Sequence, residues 1–68
     1  MNNKITLEQF IAQRQKSYFD QNGTLDSLWF DEGIAFAVTD YLSKNEPTNA
    51  DYEFARKEYD IELEEYRK

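Results

Sequence analysis

The stretch SYFDQNGTLDSLWF, residues 17–30, decides between two folds. Asn22-Gly23 at its middle serves either as a helix end, with glycine in the left-handed cap, or as the two-residue turn of a β-hairpin joining 17–21 to 24–30. The residues upstream favour the helix end. Thr6-Leu7-Glu8-Gln9 is a capping box, in which the Thr6 hydroxyl accepts from the Gln9 amide and the Gln9 side chain reaches back. Ile5 and Phe10 occupy the two positions of a hydrophobic staple around it. Leu7, Phe10, Ile11 and Tyr18 then share one helical face, with Arg14 along the same stripe. The expected fold class is therefore all-α, a compact three-helix domain. An α+β fold with a hairpin at Asn22-Gly23 is the alternative.

Downstream, Thr24 or Asp26 caps a second helix running to about Ser43. Its apolar residues divide between two faces, one with Leu25, Leu28, Trp29, Ala35, Phe36 and Leu42, the other with Phe30, Ile34, Ala37, Val38 and Tyr41. A helix apolar on both sides is expected at the centre, between neighbours. Trp29 is expected in the core. Gly33 lowers helix propensity by about 1 kcal/mol, which predicts a bend or a close approach there, and Asp31 could restart the helix after a break. Lys44-Asn45-Glu46-Pro47 stops the element. Thr48-Asn49-Ala50-Asp51 opens a third helix with a second capping pattern. Tyr52, Ala55, Tyr59, Leu63 and Tyr66 recur on one face of it, so the spacing predicts a helix continuing to the end of the chain.

Residues 1–68 form one small domain by length. A chain this short buries only roughly 60% of its unfolded surface, and without cysteine it has neither a disulfide nor a thiolate metal site to reinforce it. Five Phe, five Tyr and one Trp supply apolar area instead, with a surplus that points to an interface.

Fourteen acids against eight bases leave a net charge of −6, carried mostly by the later segments: +1 over residues 1–23, −3 over 24–45 and −4 over 46–68. Direct binding to nucleic acid or to an anionic membrane is disfavoured, because both rest on Lys and Arg. No apolar run reaches the roughly 20 residues of a membrane span, and the first residues lack the apolar centre of a signal peptide, so a cytoplasmic setting is expected.

Catalysis has little to stand on. There is no His and no Cys, so Ser17, Ser27 and Ser43 lack an imidazole partner. Asp20, Asn22, Thr24 and Asp31 approach the spacing of a calcium loop, but Leu25 stands where the sharp-turn glycine is required. No enzyme activity, cofactor or metal is expected.

The functional signal lies at the end of the chain. Glu58, Asp60, Glu62, Glu64 and Glu65 crowd into eight residues interleaved with Tyr59, Ile61 and Leu63. On one continuous helix, Phe54 and Ile61 point opposite the Tyr52–Tyr66 stripe, with Asp51, Glu58, Glu62 and Glu65 around them. Asp51, Phe54, Glu58, Ile61, Glu62 and Glu65 are thus the expected partner-binding residues. The expected function is a non-enzymatic module that modulates or inhibits a larger protein through a basic surface on that protein. Carboxylates one helical turn apart stand roughly 6 Å from one another, near the phosphate spacing of a DNA strand, which suggests mimicry in a nucleic-acid-binding cleft. The alternative is a structural or self-associating subunit, a homodimer formed through the spare aromatics.

Overall fold

The computed structural model describes residues 5–66. Three α-helices, α1 (Leu7–Asn22), α2 (Ile34–Lys44) and α3 (Asn49–Tyr59), are joined by a π-helical turn at Trp29–Gly33 and followed by a 3₁₀ turn at Leu63–Tyr66. No strand occurs among the described residues, so the chain is all-α and the hairpin alternative is excluded.

Helix α1 begins and ends where its local chemistry dictates. The Thr6 hydroxyl accepts the Gln9 N–H at 3.1 Å, and the Gln9 side chain accepts the Thr6 N–H at 3.1 Å. At the other end Gly23 takes φ +78° and donates to the Phe19 carbonyl at 2.7 Å. Leu7 and Ile11 are buried, and Phe10 and Tyr18 pack against the core beside them. Arg14 leaves the stripe at its edge, standing over the Phe10 ring at 5.4 Å and pairing with Asp40 at 3.4 Å.

Asp26, the second of the two expected caps, starts the next helical segment. Its carboxylate accepts the Tyr18 hydroxyl at 2.7 Å and, more weakly, the Trp29 N–H at 3.4 Å. The shared proton raises the Tyr18 phenol and lowers the Asp26 carboxyl from their ordinary values. After residues 27–28 the helix widens, and the Ile34 N–H returns to the Trp29 carbonyl, five residues back. This widening accounts for Gly33. The buried Trp29 ring lies across it, and a Cβ at Gly33 would run into Trp29 Cε3. The close neighbour is thus a side chain, and the helix accommodates it by a π turn in place of a bend or a break.

Within α2 the buried residues Ile34, Ala37, Val38 and Tyr41 form a single stripe of helical period. Of the two expected apolar faces, this one is enclosed from Ile34 onward, while Phe30 at its start is left 56% exposed. On the other, Trp29 is buried but Phe36 is left 65% exposed, because no helix covers it. Helix α1 packs against both α2 and α3, so it shares the central place with α2, which also meets the π turn and the C-terminal 3₁₀ turn.

The third helix is shorter than its spacing predicts. It stops at Tyr59, Asp60 takes the left-handed conformation (φ +57°), and the Asp60 N–H returns to the Arg56 carbonyl and the Ile61 N–H to the Ala55 carbonyl. Aspartate tolerates that conformation better than most residues, so the chain turns without glycine or proline. The turn carries Leu63 into the core, where its burial contributes about 2 kcal/mol relative to exposure.

Candidate partner-binding surface

Asp51 is not on the surface. Only 2% exposed, its carboxylate accepts the Thr48 N–H at 3.0 Å as the reciprocal half of the α3 capping box. It also accepts the Leu7 N–H at 3.1 Å, satisfying one of the free amides at the start of α1, and lies 2.9 Å from the Tyr41 hydroxyl. That hydroxyl stands 3.0 Å from the Ile5 carbonyl as well, but it has one proton, and the carboxylate is the stronger acceptor. Burial, then the bond to Asp51, push the Tyr41 phenol up to about 12. Asp51 is therefore removed from the expected binding set: its charge fastens α1, α2 and α3 together.

The end of α3 at Tyr59 rearranges the other expected residues. Phe54 is half-buried, its ring edge-on to Tyr59 with centroids 5.6 Å apart. Glu58 is exposed on the last turn of the helix, Glu62 lies in the connection after it and Glu65 in the 3₁₀ turn. The evenly spaced row of carboxylates along one helix is thus not formed. Glu62 is instead bound by Arg56, with Nε–Oε2 at 3.2 Å and Nη2–Oε1 at 3.3 Å. That bond and the charges of Glu62, Glu53 and Glu64 raise the Arg56 guanidinium further above its ordinary value. Glu58 and Glu65 form no ion pair among the described residues.

Ile61 changes sides. On a continuous helix it would oppose the tyrosine stripe; beyond the left-handed Asp60 it joins Tyr59 and Tyr66 in lining one cavity of about 270 Å³. The wall opposite belongs to the π turn and the start of α2, with Phe30, Asp31, Ile34 and Ala35. Burial, then the charges of Glu58 and Glu8, raise the Tyr59 phenol, as expected of a site in a negative field. Phe30, Asp31, Tyr59 and Tyr66 were not among the expected binding residues. The signal that could have found them is the exposed Phe30-Asp31 pair, whose place depends on the unforeseen turn at Asp60.

A second cavity of about 260 Å³ lies between α1 and the π turn, lined by Arg14, Ser17, Tyr18, Gln21, Trp29, Gly33 and Phe36. Trp29 Nε1 is buried without a hydrogen-bond partner. Among the described residues no three acidic side chains converge as a metal ion would require, and no helix is long and apolar enough to cross a membrane. Compared with protein-family models, curated proteins and solved structures, the chain matches none of them.

Proposed function

We propose that this chain is a non-enzymatic binding module that modulates or inhibits a larger protein by engaging a basic surface on it. The observation that carries the reading is the cavity bounded by Phe30, Ile34, Tyr59, Ile61 and Tyr66, with Asp31 in its wall and Glu58 and Glu65, which form no ion pair among the described residues, next in sequence to its tyrosines. Apolar area at the centre with charge around it is the usual anatomy of a protein interface. Relative to the sequence-based expectation, the surface moves from the long face of α3 to the junction of α3, the C-terminal turn and the π turn. A nucleic-acid-binding enzyme is one partner with the required basic surface. The binding proposed rests on negative charge and an apolar centre, without a phosphate-like spacing. A cytoplasmic setting belongs to the same proposal and rests on the sequence alone.

The test is affinity capture from a cell lysate with wild type and with an I61S/E58Q/E65Q variant shown by circular dichroism to be folded. A protein retained by the wild type and released by the variant is expected. Identical sets of proteins from both would place the interface elsewhere.

A second reading, self-association, has its own observation. Phe36 and Phe19 are 65% and 50% exposed, and Arg14 and Lys16 on α1 pair with Asp40 and Asp20, Asp40 also pairing with Lys44, which lessens the repulsion between two copies meeting there. Sedimentation across a wide concentration range separates the readings, and a monomer at the highest concentration removes the dimer.

A further inference from the structure

We propose that the cavity between the π turn and the C-terminal turn is an arginine pocket, receiving one guanidinium side chain of the partner protein. The inference rests on the binding role proposed above and names the group that the site recognises.

Three aromatic side chains, Phe30, Tyr59 and Tyr66, line a space that also holds one carboxylate, Asp31. Aromatic faces carry negative potential and attract cations within about 6 Å of the ring centroid, arginine more often than lysine. A carboxylate beside such rings adds a planar, two-oxygen acceptor that matches the guanidinium fork. Ile34, Ala35 and Ile61 supply apolar wall for the methylene stem, which long cationic side chains bury while their heads stay polar. Together these provide for each part of an arginine side chain.

The chain already builds one complete set of this kind. Arg14 stands over the Phe10 ring at 5.4 Å and pairs with Asp40 at 3.4 Å. The cavity repeats the aromatic and carboxylate parts without the cation: the Asp31 side chain forms neither a hydrogen bond nor an ion pair among the described residues. Of the described cations, Lys16 and Arg56 pair with Asp20 and Glu62, Arg14 and Lys44 share Asp40, and Lys57 forms no ion pair, so an incoming arginine competes with one lysine of this chain at most. The surrounding charge is of the sign that an incoming arginine requires, for Glu58 and Glu65 adjoin the two tyrosines in sequence and the Tyr59 phenol is raised partly by Glu58.

The test is a titration of the folded chain with Nα-acetyl-arginine methylamide, followed by the NMR signals of the Tyr59 and Tyr66 rings and the Ile34 and Ile61 methyls. The citrulline analogue, equal in shape but uncharged, and the trimethyl-lysine analogue serve as comparison ligands. Saturable shifts confined to those signals are expected with arginine. Citrulline should bind at least roughly tenfold more weakly, because both the cation–π attraction and the charge-assisted bond to Asp31 are lost. D31N removes the carboxylate charge with little change of shape, and Y66L keeps apolar volume while removing one ring. Each should weaken arginine binding by about 3- to 30-fold, the range that a cation–π contact or charged hydrogen bond covers. Should Y66L fail to fold, D31N still decides, since the Asp31 side chain is exposed and bonds no side chain among the described residues.

Repeating the titration in an R67Q/K68Q background keeps the chain's own last two cations from competing. Equal shifts from arginine and citrulline, no shifts at the cavity in either background, or tighter binding of trimethyl-lysine would each overturn the inference. If arginine fails to bind while capture of a partner still depends on Ile61, Glu58 and Glu65, the pocket is wrong and the binding module stands. If arginine binds while capture is indifferent to those residues, the reverse holds.

Discussion

The Tyr41 hydroxyl donates to Asp51 Oδ2 at 2.9 Å, joining the middle of α2 to the first turn of α3, while Oδ1 of the same carboxylate holds the first amide of α1. Three helices with no disulfide between them thus meet at one buried carboxylate, which has enough donors around it to be tolerated there. Fold and proposed function separate at this point: the acid at 51 holds the structure, and the proposed partner surface draws its charge from Asp31, Glu58 and Glu65.

Replacing Asp51 by Asn tests that separation. An amide in either orientation turns its NH₂ toward a backbone N–H, of Leu7 on one side or Thr48 on the other, so one buried donor loses its acceptor. The expected loss is about 1–3 kcal/mol of unfolding free energy, measured by urea titration, with partner capture retained by the folded fraction.

Alkali should reveal Tyr41. The unfolded chain releases this proton near the ordinary tyrosine value of 10, and the folded protein holds it to about 12. Its contribution to stability is therefore fully present below pH 10 and is lost as the pH rises from about 10 to about 12. Tyr18 and Tyr59 are raised too and add to the fall in the same direction. Y41F should be less stable at neutral pH and should show a shallower decline above pH 10, read from urea midpoints across the range.

Gly33→Ala separates helix propensity from packing. In an ordinary helix interior the change stabilises by about 1 kcal/mol, but here the new methyl meets the Trp29 ring, which the surrounding core prevents from moving away. Overpacking of this kind costs about 1–3 kcal/mol, so the thermal midpoint should fall. A rise would mean that the π turn relaxes to an α-helix without loss.

Asp60→Gly is expected to act in the opposite direction. Glycine takes φ +57° without the strain of about 1 kcal/mol that a Cβ brings, so the variant should match or slightly exceed wild type in urea midpoint. Asp60→Val should be clearly destabilised, and equal stability of the two would contradict the observed turn.

These residues mark how far the sequence was legible. Both capping boxes, at Thr6–Gln9 and Thr48–Asp51, and the glycine cap at Gly23 are local chemistry, and local chemistry reads directly from neighbouring residues. The end of α3 at Tyr59 carries no glycine or proline, and the tyrosine and leucine spacing continues through it, so periodicity alone extends the helix too far. Burial of Asp51 was hidden for a different reason. Its N-terminal position in α3 suits a carboxylate on any exposed helix, and the bond that encloses it reaches Leu7, 44 residues away. The π turn at Trp29 likewise depends on tertiary burial of the indole, although Gly33 flagged the place. Of the expected surface, Glu58 and Glu65 are exposed and form no ion pair among the described residues, Glu62 is tied to Arg56, and Ile61 is repositioned beside the tyrosines.

In the binding role proposed above, negative charge near residues 58–65 leads a basic partner onto the aromatic cavity. The most direct test of that role is the association rate with the captured partner, measured by stopped flow at rising salt for wild type and for E58Q/E65Q. Screening shortens the reach of these charges to about 8 Å at physiological ionic strength, so the wild-type rate should fall steeply as salt is added, and the variant should start slower and depend on salt less. Equal rates for the two proteins, unchanged by salt, would contradict the account.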